Sequence, residues 1–412
     1  MDLILYAIPV FLLLILVEFS YGLWCARNTY RLNDTINSLS MGTLSRLQAL
    51  VIVGTSAGLY EFVATTFGLS QLSEQSLWTW LSCFVLYDLA YYWKHRWGHE
   101  LALFWGAHVA HHQSEDFNLG TALRQTSTDF YSFIFYLPFF AAGYPGEVLF
   151  SVVSLNLIYQ FWVHTEHIQK LGPLEWLLVT PSNHRVHHGR NEQYIDRNYG
   201  GVFIVWDRLF GTFQDELPEE PVIFGLSKPL KSWNPLWANI HVYWRLMLDC
   251  WYTPGLLNKL SLPFRRPGWR APGHTSNCQS KRIPTAKTEK FDPQINHFGR
   301  IYIFAQFLVT TGLALYTLIN APEWDYQKTV WMVAFLTYSL CAHGFWLEGR
   351  TFSTLHELLR LGGAALLLSL LQPTAGYQLL YSAYLIISLA LLWTGMRNAG
   401  HSDPDNFTSL YP

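Results

Sequence analysis

The chain has few charged residues and few cysteines. Only 14% of its 412 residues are Asp, Glu, Lys or Arg, whereas soluble domains have about 25%. The 27 basic residues nearly balance the 29 acidic ones, so no basic excess favours a nucleic-acid partner. The five cysteines are isolated and form no C-x-x-C pair, which argues against a disulfide framework, a cysteine zinc site and an iron–sulfur cluster. Because half of the residues are apolar, disorder, collagen and coiled coil are excluded as well.

Long apolar segments predict an all-α, polytopic integral membrane protein. A helix needs about 20 mostly apolar residues to cross the hydrocarbon core. Residues 3–24 have neither a basic region before them nor a small-residue cleavage site, so we expect a retained anchor there instead of a cleaved signal peptide. Further predicted spans lie at 47–69, 77–93, 128–142, 147–163, 300–319, 329–347, 359–372 and 377–396. The sequence Gly-Tyr-Pro-Gly at 143–146 predicts a turn, so 128–142 and 147–163 could form a hairpin of two short helices.

The basic residues predict the orientation of these spans. Cytoplasmic loops carry the excess of Lys and Arg in membrane proteins. If the N-terminus lies outside, every basic residue except Lys328 lies on or next to the cytoplasmic side. We therefore expect a multi-pass protein of an endoplasmic reticulum-type or bacterial cytoplasmic membrane. In this orientation residues 94–127 and 164–299 face the cytoplasm.

Tryptophan recurs at helical spacing within residues 229–251, at Trp233, Trp237, Trp244 and Trp251. Indole rings prefer the headgroup boundary of a bilayer, so this pattern predicts a helix that lies on the membrane surface. An ordinary amphipathic core helix is the alternative.

Histidine is the residue in excess, and its spacing indicates a metal site. Ten of the 16 histidines lie between residues 95 and 188. One motif is H-x3-H and two are H-x2-H-H, and offsets of three and four place side chains on one helical face. The predicted ligands from these motifs are His95, His99, His108, His111, His112, His184, His187 and His188. His164 is a further predicted ligand at the end of a polar stripe, with a supporting hydrogen-bonding role as the alternative.

The number of histidines favours two metal ions. Imidazole binds iron, zinc, copper and nickel, so spacing alone does not name the metal. One catalytic zinc needs about three protein ligands, and a haem needs only one or two. The three motifs together supply enough histidines for two metals with open positions, and we predict a di-metal site on the cytoplasmic side. A purely structural role for the set would require three motifs to occur by coincidence.

Two acidic residues lie beside these motifs. Glu100 follows His99 directly, and we predict that it is catalytic as a proton relay, with helix capping or solvation as the alternative. Asp88 shares a helical face with His95 and His99. We expect its carboxylate to accept the spare N–H of a ligand histidine, with a buried acid that pairs with another span as the alternative.

The histidine motifs between hydrophobic spans resemble the fatty acid hydroxylase / sterol desaturase superfamily of membrane di-iron oxygenases. A narrower resemblance, to the alkylglycerol monooxygenase family, rests on segments such as SEDFNLGTALRQ at 114–125 and TPSNHRVHHGRN at 180–191. It extends through residues 159–166, 171–175, 196–201 and 206–213. His164 matches the family's Trp-x-His-Thr-Glu stretch, whereas His167 has no counterpart in the family and is not a predicted ligand.

The resemblance implies an ether-lipid substrate, molecular oxygen, two iron ions and reduced tetrahydrobiopterin. The eight motif histidines would hold the iron, and Glu100 would be a required acid. Hydroxylation of the carbon next to the ether oxygen gives a hemiacetal, which collapses to a fatty aldehyde and a glycerol derivative. The chain then divides into N-terminal transmembrane helices (1–75), a fatty acid hydroxylase-like di-iron domain (76–290) and C-terminal transmembrane helices (291–412).

Two other functions remain open from the sequence. One is a di-iron hydroxylase or desaturase that acts on a sterol or a fatty acyl lipid, and the other is a metal-binding membrane transporter or sensor. The sequence contains no G-x-G-x-x-G motif after a strand and no haem-domain motif. We therefore expect a membrane enzyme whose partners are a lipid, O2 and an external electron donor, and not a nucleic acid.

Overall fold

The protein is built from helices. The computed structural model describes residues 3–69, 71–273, 289–371 and 375–399. These residues contain no β-strand, and an isolated β-bridge joins Leu178 to Phe203, so the predicted all-α class is confirmed. The helices are α1 (Leu3–Trp24), α2 (Leu32–Phe67), α3 (Leu77–Glu100), α4 (Ala102–His108), α5 (Leu119–Ala122), α6 (Phe133–Ala141), α7 (Gly146–Trp162), α8 (Pro181–His188), α9 (Val205–Phe210), α10 (Pro235–Tyr252), α11 (Leu256–Ser261), α12 (His297–Asn320), α13 (Tyr326–Leu347), α14 (Ser353–Leu371) and α15 (Ala375–Ala399). They form two compact units, Met1–Phe291 and Asp292–Pro412.

Three helical segments among the described residues are long and apolar enough to cross a membrane. They are Leu3–Trp24, His297–Glu323 and Tyr326–Leu347, and they contain the predicted spans at 3–24, 300–319 and 329–347. The predicted span at 47–69 lies in α2, whose parts Leu32–Ile52 and Ala57–Phe67 meet at 58° and together would make a fourth. A shorter apolar helix, Gln378–Thr394, occupies the last predicted span.

The predicted span at 147–163 forms a helix of the predicted length, whereas the helix at 128–142 is shorter than predicted. Helix α6 has 9 residues and α7 has 17, whereas a perpendicular crossing needs about 20. The predicted turn between them is present, because Gly143 adopts a φ of 85° that favours glycine. Neither helix alone is long enough for a full crossing.

Helix α3 is the scaffold of the first unit. It packs against α4, α6 and α7, and its side chains Cys83 and Tyr87 join Phe139, Val148 and Val152 in one apolar core. Unlike the predicted span at 77–93, α3 continues to Glu100. The first two histidines of the sequence motifs therefore lie on the last turns of a helix whose other end is fixed in the core.

Helix α10 closes one side of this unit. It packs on α2 and α4, and the close approach requires Gly106, since a Cβ at that position would lie 2.6 Å from the Tyr243 ring. Its other face is exposed and apolar, and it presents Trp237, Ile240, Trp244, Met247 and Trp251. Trp233 departs from the predicted stripe, because it precedes the helix, is 5% exposed and packs against Phe291.

The second unit has a buried ion pair at its centre. Arg360 donates through Nε and Nη2 to both carboxylate oxygens of Glu357, at 2.8 and 2.7 Å. Tyr302 also donates to Glu357, while Gln306 and Tyr384 accept from Arg360. A buried ion pair is tolerated only when its remaining donors and acceptors are satisfied, so this network links α12, α14 and α15.

Removal of one charge from this pair should destabilise the second unit. We expect Arg360→Met to lower the free energy of unfolding by about 3–5 kcal/mol, because Glu357 would keep an uncompensated buried charge. The Glu357→Gln/Arg360→Met double variant should recover part of this loss. Thermal unfolding in detergent measures both, with Arg300→Met on the exposed surface of α12 as the control. An unchanged melting temperature for Arg360→Met would contradict the assignment.

Candidate metal centre

The predicted histidines come from four neighbouring segments. Helix α3 carries the first motif on its last turns, and α4 with the short 3-10 helix after it carries the second. The third motif lies on α8, which begins with Pro181 at a position where a missing N–H costs nothing, and every residue of α8 is buried. His164 lies two residues beyond the end of α7.

These segments bring all nine predicted histidines together in two groups. The five-histidine group contains His95, His99, His108, His112 and His187. The four-histidine group contains His111, His164, His184 and His188. Within each group, one ring nitrogen from each residue lies within 4.8 Å of those of the others. His167 is outside both groups and packs edge-on against Tyr21.

The Nε2 atoms face one another at close range. In the five-histidine group, Nε2 of His108 lies 3.0 Å from Nε2 of His95 and 2.9 Å from Nε2 of His112. In the four-histidine group, Nε2 of His164 lies 3.2 Å from Nε2 of His111 and 2.9 Å from Nε2 of His184. Each group therefore directs its ring nitrogens at a common point.

Backbone carbonyls determine which nitrogen of each ring carries the proton. Nδ1 of His95 lies 2.8 Å from the carbonyl oxygen of Tyr199, and Nδ1 of His187 lies 3.0 Å from that of Arg197. Similar contacts join His111 to the carbonyl of Arg124 at 3.1 Å and His164 to that of Gln160 at 2.8 Å. A carbonyl oxygen only accepts, so the hydrogen-bond network assigns the proton to Nδ1 and leaves a lone pair on Nε2.

This arrangement fits a cation in each group. His111 and His164 both donate through Nδ1, so two lone pairs face each other across 3.2 Å with no proton between them. Protonation would not relieve the repulsion readily, because burial lowers the pKa of His111 to about 4 and holds the pKa of His164 well below its usual value. A bound metal ion would accept these lone pairs, and metal-ligating histidines characteristically donate their other N–H to a carbonyl or carboxylate.

Glu100 lies outside both groups. Its Oε1 is 3.2 Å from Nε of Arg96 and 3.7 Å from Nη2 of Arg266, and its side chain is 23% exposed. Asp196, which our sequence analysis missed, places Oδ1 3.8 Å from Nδ1 of His99. Its φ of 60° is a backbone conformation that Asp tolerates better than most residues, and no local sequence signal pointed to the contact.

The prediction for Asp88 is wrong, because its carboxylate contacts no histidine. It accepts hydrogen bonds from the backbone N–H groups of Val202 and Phe203, from Nε1 of Trp206 and from Nδ2 of Asn156. These four donors at 2.7–3.0 Å satisfy a fully buried carboxylate. Asp88 therefore holds the segment that follows Tyr199, the residue whose carbonyl orients His95.

A second buried acid holds the same segment and was also missed. Asp207 accepts from the backbone N–H groups of Tyr199 and Gly200, each at 2.7 Å, and from the hydroxyl of Thr212. Burial raises its pKa to about 6. In the sequence, the Trp-Asp pair at the start of α9 was the only sign of Asp207. The tertiary fold shows that Asp207 holds the backbone of Tyr199, whose carbonyl orients His95.

The comparisons with known proteins agree on one enzyme family. The family model for fatty acid hydroxylase matches residues 80–212, a range that contains all nine histidines. The chain is 39% identical to the alkylglycerol monooxygenase of Homo sapiens over 359 residues, which cover 86% of this chain and 80% of that protein. The chain is 38% identical to the Xenopus tropicalis protein of the same name, over 80% of this chain and 74% of that protein. It is 30% identical to the Caenorhabditis elegans protein of that name, over 89% of this chain and 77% of that protein. No solved structure matches significantly.

The two groups predict two bound metal ions per chain. We expect His108→Ala to reduce bound metal from about two ions to about one, because His108 lies between two other Nε2 atoms of its group. His184→Ala should empty the four-histidine group in the same way. Elemental analysis of the purified protein measures the ratio, and His297→Ala, on an exposed residue, is the control. Full metal content in either site variant would contradict the grouping.

Proposed function

Because the chain belongs to the alkylglycerol monooxygenase family, we propose that it hydroxylates the ether-linked carbon of alkylglycerol-type lipids. The hydroxylated ether collapses to a fatty aldehyde and a glycerol derivative, and the second oxygen atom of O2 leaves as water. The observation that carries the proposal is the convergence of nine imidazoles within the segment that the hydroxylase model matches. The chain also contains helices that are long and apolar enough to span a membrane, which suits a substrate that resides in a bilayer.

Two iron ions are the proposed metals. Imidazole is a suitable ligand for iron. Both groups consist of histidines alone, so no carboxylate within them would partly neutralise the charge of the ions. When bound, two ferrous ions would supply the reductive activation of O2. Reduced tetrahydrobiopterin is the proposed electron donor, because the resemblance to the alkylglycerol monooxygenase family implies it. The sequence contains no recognisable dinucleotide-binding, iron–sulfur or haem-domain motif, which favours an external donor of some kind. An external donor is required in any case, because the reaction consumes two electrons beyond those of the substrate.

The protein supplies orientation and exclusion of water. The hydrogen bonds from Nδ1 to backbone carbonyls hold the rings before any metal binds, which reduces the reorganisation needed at each step. The site is buried, and this keeps bulk water away from reactive groups. Phe117 packs against the four-histidine group, with its ring centroid 5.1 Å from that of His188. This apolar wall favours binding of the hydrocarbon chain beside the reacting carbon.

Glu100 is the proposed proton relay. Its carboxylate is partly exposed, and the residue follows His99, a member of the five-histidine group, directly in the chain. Arg96 and Arg266 hold the carboxylate in place. General acid–base groups of this kind contribute about 10²–10⁴-fold to a rate.

We place the site on the cytoplasmic side of an endoplasmic reticulum-type or bacterial membrane. The support is the concentration of basic residues in the segments that carry the histidines. The exposed apolar face of α10 would lie in the headgroup region on that side of the membrane. For the domains we propose 1–75, 76–290 and 291–412, and the boundary between the compact units after Phe291 supports the last division.

Turnover with labelled oxygen tests the reaction. We expect the iron-loaded protein to release a fatty aldehyde from an alkylglycerol when O2 and reduced tetrahydrobiopterin are present. With 18O2, and with the aldehyde reduced in situ to prevent exchange, the label should appear in the fatty product and not in glycerol. Mass spectrometry measures both, and His108→Ala is the inactive control. A product hydroxylated elsewhere on the chain would support the alternative lipid hydroxylase, and no product with any donor would contradict the proposal.

Substitution of Glu100 tests the proton relay. We expect Glu100→Gln to lower kcat by about 100-fold or more while the protein keeps its bound metal, because the residue is not in either histidine group. Glu192→Gln is the matched control on an exposed glutamate. Unchanged turnover in Glu100→Gln would reject the relay, and loss of metal would indicate a structural role instead.

A further inference from the structure

One acidic residue lies inside the first membrane-span candidate. Helix α1 is almost entirely apolar and exposed, and its buried residues are Phe11, Glu18 and Gly22. Glu18 is 7% exposed. An acidic side chain within a membrane helix is costly and is retained where it has a specific partner or function.

The carboxylate of Glu18 accepts hydrogen bonds from three separate segments. Oε2 accepts from the hydroxyl of Tyr30 and from the backbone N–H of Leu119, the latter at 2.8 Å. Oε1 accepts from the hydroxyl of Thr165 at 2.5 Å. None of these donors is a cation, so the three hydrogen bonds are what satisfy the buried charge.

Two of these donors belong to segments that form the four-histidine group. Thr165 follows His164 directly in the chain. Leu119 is two residues after Phe117, whose ring centroid lies 5.5 Å from that of His164 and 5.1 Å from that of His188. Glu18 therefore joins the segment that supplies one ligand to the segment that packs against two of them.

From this geometry we propose that Glu18 is a positioning residue for the four-histidine group. The carboxylate fixes Thr165, and through the adjacent backbone it fixes the ring of His164, whose Nε2 lies between those of His111 and His184. Metal ligands must be held to about 0.5 Å for tight binding. Helix α1 is then part of the metal site as well as a membrane anchor. The inference rests on the metal site proposed above.

The effect of Glu18 should be selective. Two of its three donors, Thr165 and Leu119, lie in segments that supply a ligand to the four-histidine group or pack against it. In the five-histidine group, by contrast, the rings of His95 and His187 are oriented by the carbonyls of Tyr199 and Arg197. A purely structural role for Glu18 would weaken metal binding in both groups through general destabilisation. A positioning role would weaken it in one.

Metal binding by Glu18→Gln tests the inference without any turnover. The glutamine side chain has one acceptor oxygen and an N–H2 group that would face a donor, so at least one of the three hydrogen bonds is lost. Under anaerobic titration with iron(II), we expect two ions per wild-type chain. In the variant we expect one ion at wild-type affinity and a second that binds at least 10-fold more weakly. Glu61→Gln, on an exposed glutamate of α2, is the matched control.

A threonine pair gives the same comparison if Glu18→Gln is not recovered in folded form. Thr165→Ser keeps the hydroxyl and should bind both ions, while Thr165→Val removes it and should weaken only one. Two tightly bound ions in Glu18→Gln or in Thr165→Val would overturn the inference. Equal weakening of the binding of both ions, together with a lower melting temperature, would also overturn it. Either result would leave the proposed function intact. A wild-type chain that binds no iron would overturn the proposed function and this inference with it.

Discussion

The hydrogen bond from a histidine Nδ1 to a backbone carbonyl is the interaction on which the site depends. It fixes the tautomer and the ring direction at His95, His111, His164 and His187 and turns the Nε2 lone pairs inward. Those carbonyls must themselves be fixed, and this explains the buried acids around them. Asp207, for example, holds the backbone N–H of Tyr199 while the carbonyl of the same residue orients His95. The candidate metal site is thus the innermost part of a polar network that extends from these ring nitrogens through the backbone to buried acids such as Asp207.

The membrane-associated fold makes this network necessary. An apolar chain gives buried polar groups few partners, so each must be satisfied locally. The protein does this in both of its units: Asp88 accepts from four donors, Glu18 from three, and Arg360 pairs with Glu357 in the second unit. In each case the polar residue also joins segments that are distant in the sequence.

The meeting of the eight motif histidines was predictable from the sequence because it depends largely on local spacing, and His164 was predicted from the polar stripe that precedes it. Offsets of three and four put imidazoles on one helical face whatever the surroundings, and all nine predicted histidines meet. Contacts between segments were not predictable in this way. Asp88 shares a helical face with His95, yet packing gives it the 202–206 segment as its partner. Glu18 was missed because a hydropathy profile treats α1 as uniformly apolar. The predicted span at 128–142 was too long because residues 128–132 are not helical, and hydropathy does not show this.

The two histidine groups are interleaved along the chain. In the motif at 108–112, the first and last histidines belong to one group and the middle one to the other, and the motif at 184–188 is divided in the reverse sense. Neither centre can be transplanted or deleted as a block, since removal of either motif takes ligands from both. Exchange of either of these two motifs would therefore alter both groups at once. The motif at 95–99 and the single residue His164 are different, because each contributes to one group alone and so allows that group to be changed separately.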